Sequence, residues 1–171
     1  MECVRAVIFD SKDKSIIIGT LGGKLLRWFF QDSLEAHTIA HFDHGIIHLE
    51  YNNMKEGNNF LLAGLGSGMF IAFKEIEYEP TMHIMFAYHG HLPNYIPNNI
   101  HFGSLRIFFL KKSNWVDKFA EIWSTCWSPT SNDLVVTASE DQTCIVWDLA
   151  QKNPKLLHKL TGHTKAVTSI D

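Results

Sequence analysis

The chain has 171 residues, 46% of them hydrophobic and 19% charged, with a formal charge of −3. That is enough apolar material for one packed core, too little charge for a disordered tail, and the wrong sign for a general affinity for nucleic-acid phosphates. The apolar run around Ala6–Phe9 is too short for a signal-peptide core, and Cys3, Cys126 and Cys144 are odd in number with no CxxC pair, so an intracellular protein with reduced thiols is expected, cytoplasmic rather than nuclear.

In chain order, short β-type runs are predicted over Val4–Phe9, Ser15–Thr20, Lys24–Phe30, Phe60–Gly64, Met69–Phe73, Leu134–Ala138 and Thr143–Asp148. They are rich in Ile, Val, Phe and Trp and are broken by Gly, Asn, Asp, Ser or Pro, which is an all-β signature. Apolar spacing of the helical kind is not sustained anywhere. SIIIGT and FLLAG are apolar at consecutive positions, so their strands are expected to be buried on both faces, as when small sheets stack.

Three segments share one plan: IIIGTLGGKLLRWF, LLAGLGSGMFIAF and VVTASEDQTCIVWD. Each runs from an apolar strand through a small residue and a tight turn to an apolar strand ending in an aromatic. HFGSLRIFF fits the second half only. The closing aromatics Trp28, Phe73, Phe108 and Trp147 are 45, 35 and 39 residues apart, a period in the range of propeller blades.

WSPTSNDLVVTASEDQTCIVWDL, followed by KLLHKLTGHTKAVTSID, resembles the WD-repeat family closely over about 119–171, and residues 1–118 resemble degenerate repeats of it. The resemblance implies a partial β-propeller forming an open arc: about three to four four-stranded antiparallel blades, one of them shortened. The approximate units are 1–31, 32–75, 76–110 (shortened) and 111–149, with 150–171 supplying an outer strand and the start of a next blade. It also implies a polar network locking each blade. Here that network falls on Thr137, Asp141 and Trp147, with Gly162–His163 opening the next repeat. Aligning Ile122 and Trp127 with the family's first strand puts Lys118 where the network's histidine belongs, so Thr137 is expected to find a different partner. Gly22 and Ser67 replace the turn Asp in the earlier units, and Phe73 replaces a Trp, so those blades are expected to rely on packing.

Other signals yield to plainer readings. His37, His41, His44 and His48 lie on strand-like sequence whose side chains alternate faces, so no metal is expected. Gly90–His91 reads as a degenerate repeat junction. Gly64, Gly66 and Gly68 are turn glycines without a phosphate-loop lysine, and no catalytic motif or cofactor signature is present. Arg106, Lys111, Lys112 and Trp115 form the one basic-aromatic patch. The resulting expectation is a non-catalytic scaffold that binds other proteins in a multiprotein complex, without membrane or small-molecule substrate. Contacts are expected at the residue before each turn Asp, namely Leu21, Gly66 and Glu140. Two alternatives remain: an RNA-binding or ribonucleoprotein-assembly propeller, and a truncated form or fragment without independent activity.

Overall fold

The computed structural model describes residues 2–10, 14–32, 34–52, 59–75, 81–89, 91, 120–131, 133–150 and 154–171. All the regular structure there is β: β1 (Val4–Phe9), β2 (Ile16–Thr20), β3 (Lys24–Trp28), β4 (His37–His41), β5 (Ile46–Tyr51), β6 (Phe60–Leu65), β7 (Met69–Glu75), β8 (Met82–His89), β9 (Ile122–Trp127), β10 (Leu134–Ser139), β11 (Cys144–Asp148) and β12 (Lys155–Leu160). They form three antiparallel four-stranded meanders, β1–β4, β5–β8 and β9–β12, which are blades one, two and three. The inner strand of each blade lies against that of the next, β1 on β5 and β5 on β9.

The span 76–110, expected to hold a shortened blade, contributes β8, which pairs with β7 as the outer strand of blade two. Residues 90 and 92–110 lie outside the described residues. Blade three is seated directly on blade two, so among the described residues no further blade stands between them.

Blade two is the middle of the arc, and its strands explain the apolar runs. Leu61, Ala63, Ile71 and Phe73 face blade one, where they meet Ile17 and Leu25. Leu62, Phe70 and Ala72 alternate with them and meet Ile122, Val135, Ile145 and Trp147 of blade three. Burial on both faces removes the alternation that a half-wet strand shows. SIIIGT behaves differently: Ile17 is buried while Ile16 and Ile18 are only half-buried, because no blade among the described residues covers that side of blade one.

The small residue in the shared plan has a packing cause. A Cβ on Gly19 would stand 2.6 Å from Cγ2 of Ile46, and one on Gly64 would stand 2.8 Å from Cγ2 of Ile122. The first isoleucine of each following blade sits over that backbone, and a larger side chain would wedge the seam open.

The three central turns superpose in register. Gly23, Gly68 and Gln142 donate their N–H groups to Thr20, Leu65 and Ser139, and all three residues have positive φ, 85°, 74° and 70°. Glycine adopts that conformation freely, whereas glutamine is strained there. Gln142→Gly is therefore expected to stabilise the chain by about 0.5–1 kcal/mol, read as a rise in the urea midpoint with an unchanged slope. An unchanged or lower midpoint would show that the Gln142 side chain offsets its backbone strain.

Candidate functional site

Two kinds of site come from the repeat plan: the polar lock inside a blade and the turn edge that faces outward. In blade three, β10 supplies Thr137, β11 supplies Trp147 and the turn between them supplies Asp141. The Trp147 indole N–H donates to Thr137 Oγ1 at 3.0 Å. Thr137 Oγ1 stands 2.7 Å from Nε2 of His91, whose Nδ1 lies 3.2 Å from both oxygens of Asp141. The Asp141 carboxylate can only accept, so His91 donates from Nδ1; in the neutral ring Nε2 then accepts the Thr137 O–H, whose oxygen accepts the indole N–H. Thr143 adds a hydroxyl bond at 2.6 Å and a backbone N–H bond at 2.9 Å to the same carboxylate. Every donor in this chain has an acceptor, and His91, Thr137 and Trp147 are essentially inaccessible to water.

The lock's histidine is thus His91, and Lys118 lies outside the described residues. Sequence alignment missed it because 46 residues separate His91 from Thr137, more than the repeat plan allows for. Gly90–His91 was itself the available signal. Gly162 and His163 do not join a lock among the described residues: both are exposed and follow β12. Beyond them, Val167 N–H bonds to Ser139 C=O, where the next inner strand would run.

Burial alone would raise the Asp141 pKa, but the hydrogen bonds from His91 and Thr143 outweigh it and hold the carboxyl at about 2.

Blade two replaces the whole lock together. Ala63 stands at the position of Thr137, Phe73 at that of Trp147, and Phe42 at that of His91, with Phe42 and Phe73 edge to face at 6.2 Å. Exchanging these three together leaves none of the three positions with a buried donor lacking an acceptor, which a single exchange would do. Ser67, at the turn position of Asp141, is the residue left behind: its buried hydroxyl has no partner among the described residues.

A second polar cluster joins blades one and two, and sequence reading did not find it. Arg27 on β3 is buried; its Nε donates to Ser15 Oγ at 2.8 Å and its Nη2 to Asp10 Oδ2 at 3.0 Å. The same nitrogen bonds Glu75 Oε1 at the end of β7. Ser15 hydroxyl donates to Asp10 at 2.6 Å, and Asn59 Nδ2 to Glu75 at 3.1 Å. In KLLRW the arginine occupies the same inward face as Leu25, and a charge on an apolar face was the signal available.

Between blades two and three, β5 side chains cap the inner edge of β9. His48 Nδ1 accepts Thr125 N–H at 3.3 Å, and Glu50 Oε1 accepts Trp127 N–H at 3.0 Å. Burial lowers the His48 pKa below its ordinary 6.5. The unfolded chain then takes up a proton before the folded one does. This contribution is complete above about pH 6.5 and is lost as pH falls toward the folded value. His48→Asn is expected to flatten that part of the stability–pH curve; a slope unchanged between pH 7 and 5.5 would exclude the assignment. Burial pushes Glu50 the other way, up, with the bonds from Trp127 and Thr125 opposing it.

The remaining histidines are dispersed. His37 stacks edge-on against Phe29, His41 Nε2 lies 3.2 Å from Gly22 C=O, and among the described residues no three His, Cys, Asp or Glu side chains converge as metal ligands.

Leu21, Gly66 and Glu140 occupy equivalent points at the start of the three central turns. Each donates its N–H to the residue before its blade's inner strand, Leu21 to Cys3, Gly66 to Gly45 and Glu140 to Glu121. They therefore share one edge of the arc on rigid backbone; Leu21 is 48% exposed and Glu140 is exposed. Arg106, Lys111, Lys112 and Trp115 lie outside the described residues, and no helix among those described is long and apolar enough to cross a membrane.

With this geometry in place, the likeness to known proteins is specific. Residues 114–148 match the family model "WD domain, G-beta repeat". No curated protein matches the chain. Among solved structures, the RRP9 WD40 repeats align at TM-score 0.66 and 10% identity over 97% of this chain and 41% of theirs. A chain of the Mitotic Checkpoint Complex aligns at TM-score 0.66 and 15% identity over 98% and 41%. The Cps50 (Swd1) β-propeller domain of Myceliophteria thermophila aligns at 0.63 and 12% over 96% and 45%. The chain spans about two fifths of the length of these structures. It is an all-β chain of the WD-repeat propeller fold. The matched residues hold β9, β10 and β11 of its third blade, and with them Thr137, Asp141 and Trp147 of the lock that His91 completes.

Proposed function

We propose that this chain is a non-catalytic scaffold that binds other proteins during assembly of a multiprotein complex, in an intracellular, reducing setting consistent with its three free cysteines. The observation that carries the reading is the turn edge at Leu21, Gly66 and Glu140. Three clamped turns hold one exposed apolar side chain and one exposed carboxylate in fixed relation. A partner that buries there pays little ordering entropy on this side, because the backbone is already fixed. The double variant Leu21→Asp, Glu140→Lys tests it. The expected result is loss of cross-linked partner proteins that the unaltered chain retains, with the same β-sheet circular dichroism. Retention of the same set would overturn the assignment of this edge. RNA bound with a steep salt dependence, and no protein partner, would favour a nucleic-acid role instead.

A further inference from the structure

The three inner strands carry the same irregularity at the same place. Val4 pairs with Thr20 and Ala6 with Gly19, Ile46 with Leu65 and His48 with Gly64, Ile122 with Ser139 and Ser124 with Ala138. Arg5, Ile47 and Trp123 are the extra residues, and a bulge re-aims the side chain of its extra residue. The Arg5 guanidinium lies over the Trp123 ring, 5.7 Å from its centre, so the pair bridges blade one to blade three across the inner strand of blade two. Cδ1 of Ile47 stands 3.8 Å from a Cβ built on Gly66, which brings this row up to the turn edge. Arg5 is exposed and Trp123 half-buried. Among the described residues Arg5 has no carboxylate partner, whereas Lys24 is held by Glu2 at 2.6 Å. The Trp123 indole N–H is covered and has no acceptor among the described residues.

We infer that the Arg5–Trp123 pair receives a carboxylate from an extended segment of a partner protein, an inference that rests on the reading of the turn edge as a docking surface for its neighbouring contacts. Stacking on the indole occupies the flat face of the guanidinium and holds its plane. The N–H groups stay free at the rim, in the fork that a carboxylate fits. That order is in place before binding, so little is lost in fixing this side chain. The indole N–H is a second donor short of an acceptor at the same place, and two neighbouring donors select an anion over a cation. The turn edge adds exposed Leu21, which suits an apolar side chain. It also adds the carboxylates of Glu140, exposed, and Glu121, whose Oε1 is 3.6 Å from the Cβ position of Gly66. Those two repel a second acid, so the segment that fits carries one acid, at Arg5, beside apolar residues.

Selection of a displayed random-peptide library on the full chain tests this. The unaltered chain is expected to enrich sequences that share one Asp or Glu beside apolar residues, and Arg5→Glu to enrich Lys or Arg at that position instead. A synthetic peptide of the enriched sequence should bind Arg5→Gln roughly tenfold more weakly than the unaltered chain, and that difference should vanish when its acid is replaced by the amide. Arg5→Lys keeps the charge without the planar fork and should fall between the two. Because Arg5 is exposed, these variants should keep the same β-sheet circular dichroism. Leu21→Asp, Glu140→Lys separates the two readings: if that chain enriches the same sequences as the unaltered one, the turn-edge reading fails while the Arg5 result still holds. No enriched sequence, enrichment without an acid, or an acid still selected by Arg5→Glu overturns the inference.

Discussion

Replacing His91 by alanine is expected to destabilise the chain by about 3 kcal/mol, since it leaves both the Thr137 hydroxyl and the Asp141 carboxylate short of a partner and opens a cavity in a dry site. Trp147→Phe removes the indole N–H together with part of a buried ring and should cost about 1–3 kcal/mol. The bonds run in one direction, indole to Thr137 to His91 to Asp141, so each polarises the next and the two losses should not add. A double-mutant cycle in urea is expected to return a coupling of about 1 kcal/mol or more; simple additivity would show that the relay is not a unit. Acid gives a second reading. Asp141 is held at about 2 against an ordinary 3.8, so its contribution is complete above about pH 4 and is lost as pH falls toward 2. His91→Ala should shrink that loss.

Arg27→Met is expected to cost about 3–5 kcal/mol, because it strands the carboxylates of Asp10 and Glu75 between two blades without their shared cation. The methylene stem is kept, so packing alone accounts for little of this. Arg27→Lys, which keeps a cation between the two carboxylates, should recover part of the loss. Equal deficits for the Lys and Met variants would assign the loss to packing. The consequence is structural as well as energetic. Blade one lacks the His–Thr–Trp lock, with Ile18 at the threonine position and Gly22 at the turn, and the Arg27 cluster ties it to blade two.

How much of this was legible in sequence follows from the separation of the interacting residues. The hairpins β2–β3, β6–β7 and β10–β11 were readable because each is closed by a turn of a few residues, and in the first two Gly23 and Gly68 answer to a backbone angle fixed within the hairpin. The meeting of Thr137 with Trp147 was readable for the same reason, being internal to one hairpin. The outer strands β4 and β8 were not, since an outer strand has a mixed, half-wet composition that the mean pattern of the chain does not set apart, and β12 was expected only through the repeat resemblance.

Sequence by itself determined the all-β class, the blade period and the positions of the central turns. Those properties are local: they depend on backbone angles and on the alternation of side chains along one strand. Only the tertiary structure decided which histidine completes the lock, that Asp10, Ser15, Asn59 and Glu75 gather on Arg27, and that blade three stacks on blade two. Each of these joins residues far apart in the chain, and the chain between them can take many lengths at a small cost in closure entropy. The partner is therefore chosen by which buried polar group must find one when the blades stack, and spacing carries no record of that choice.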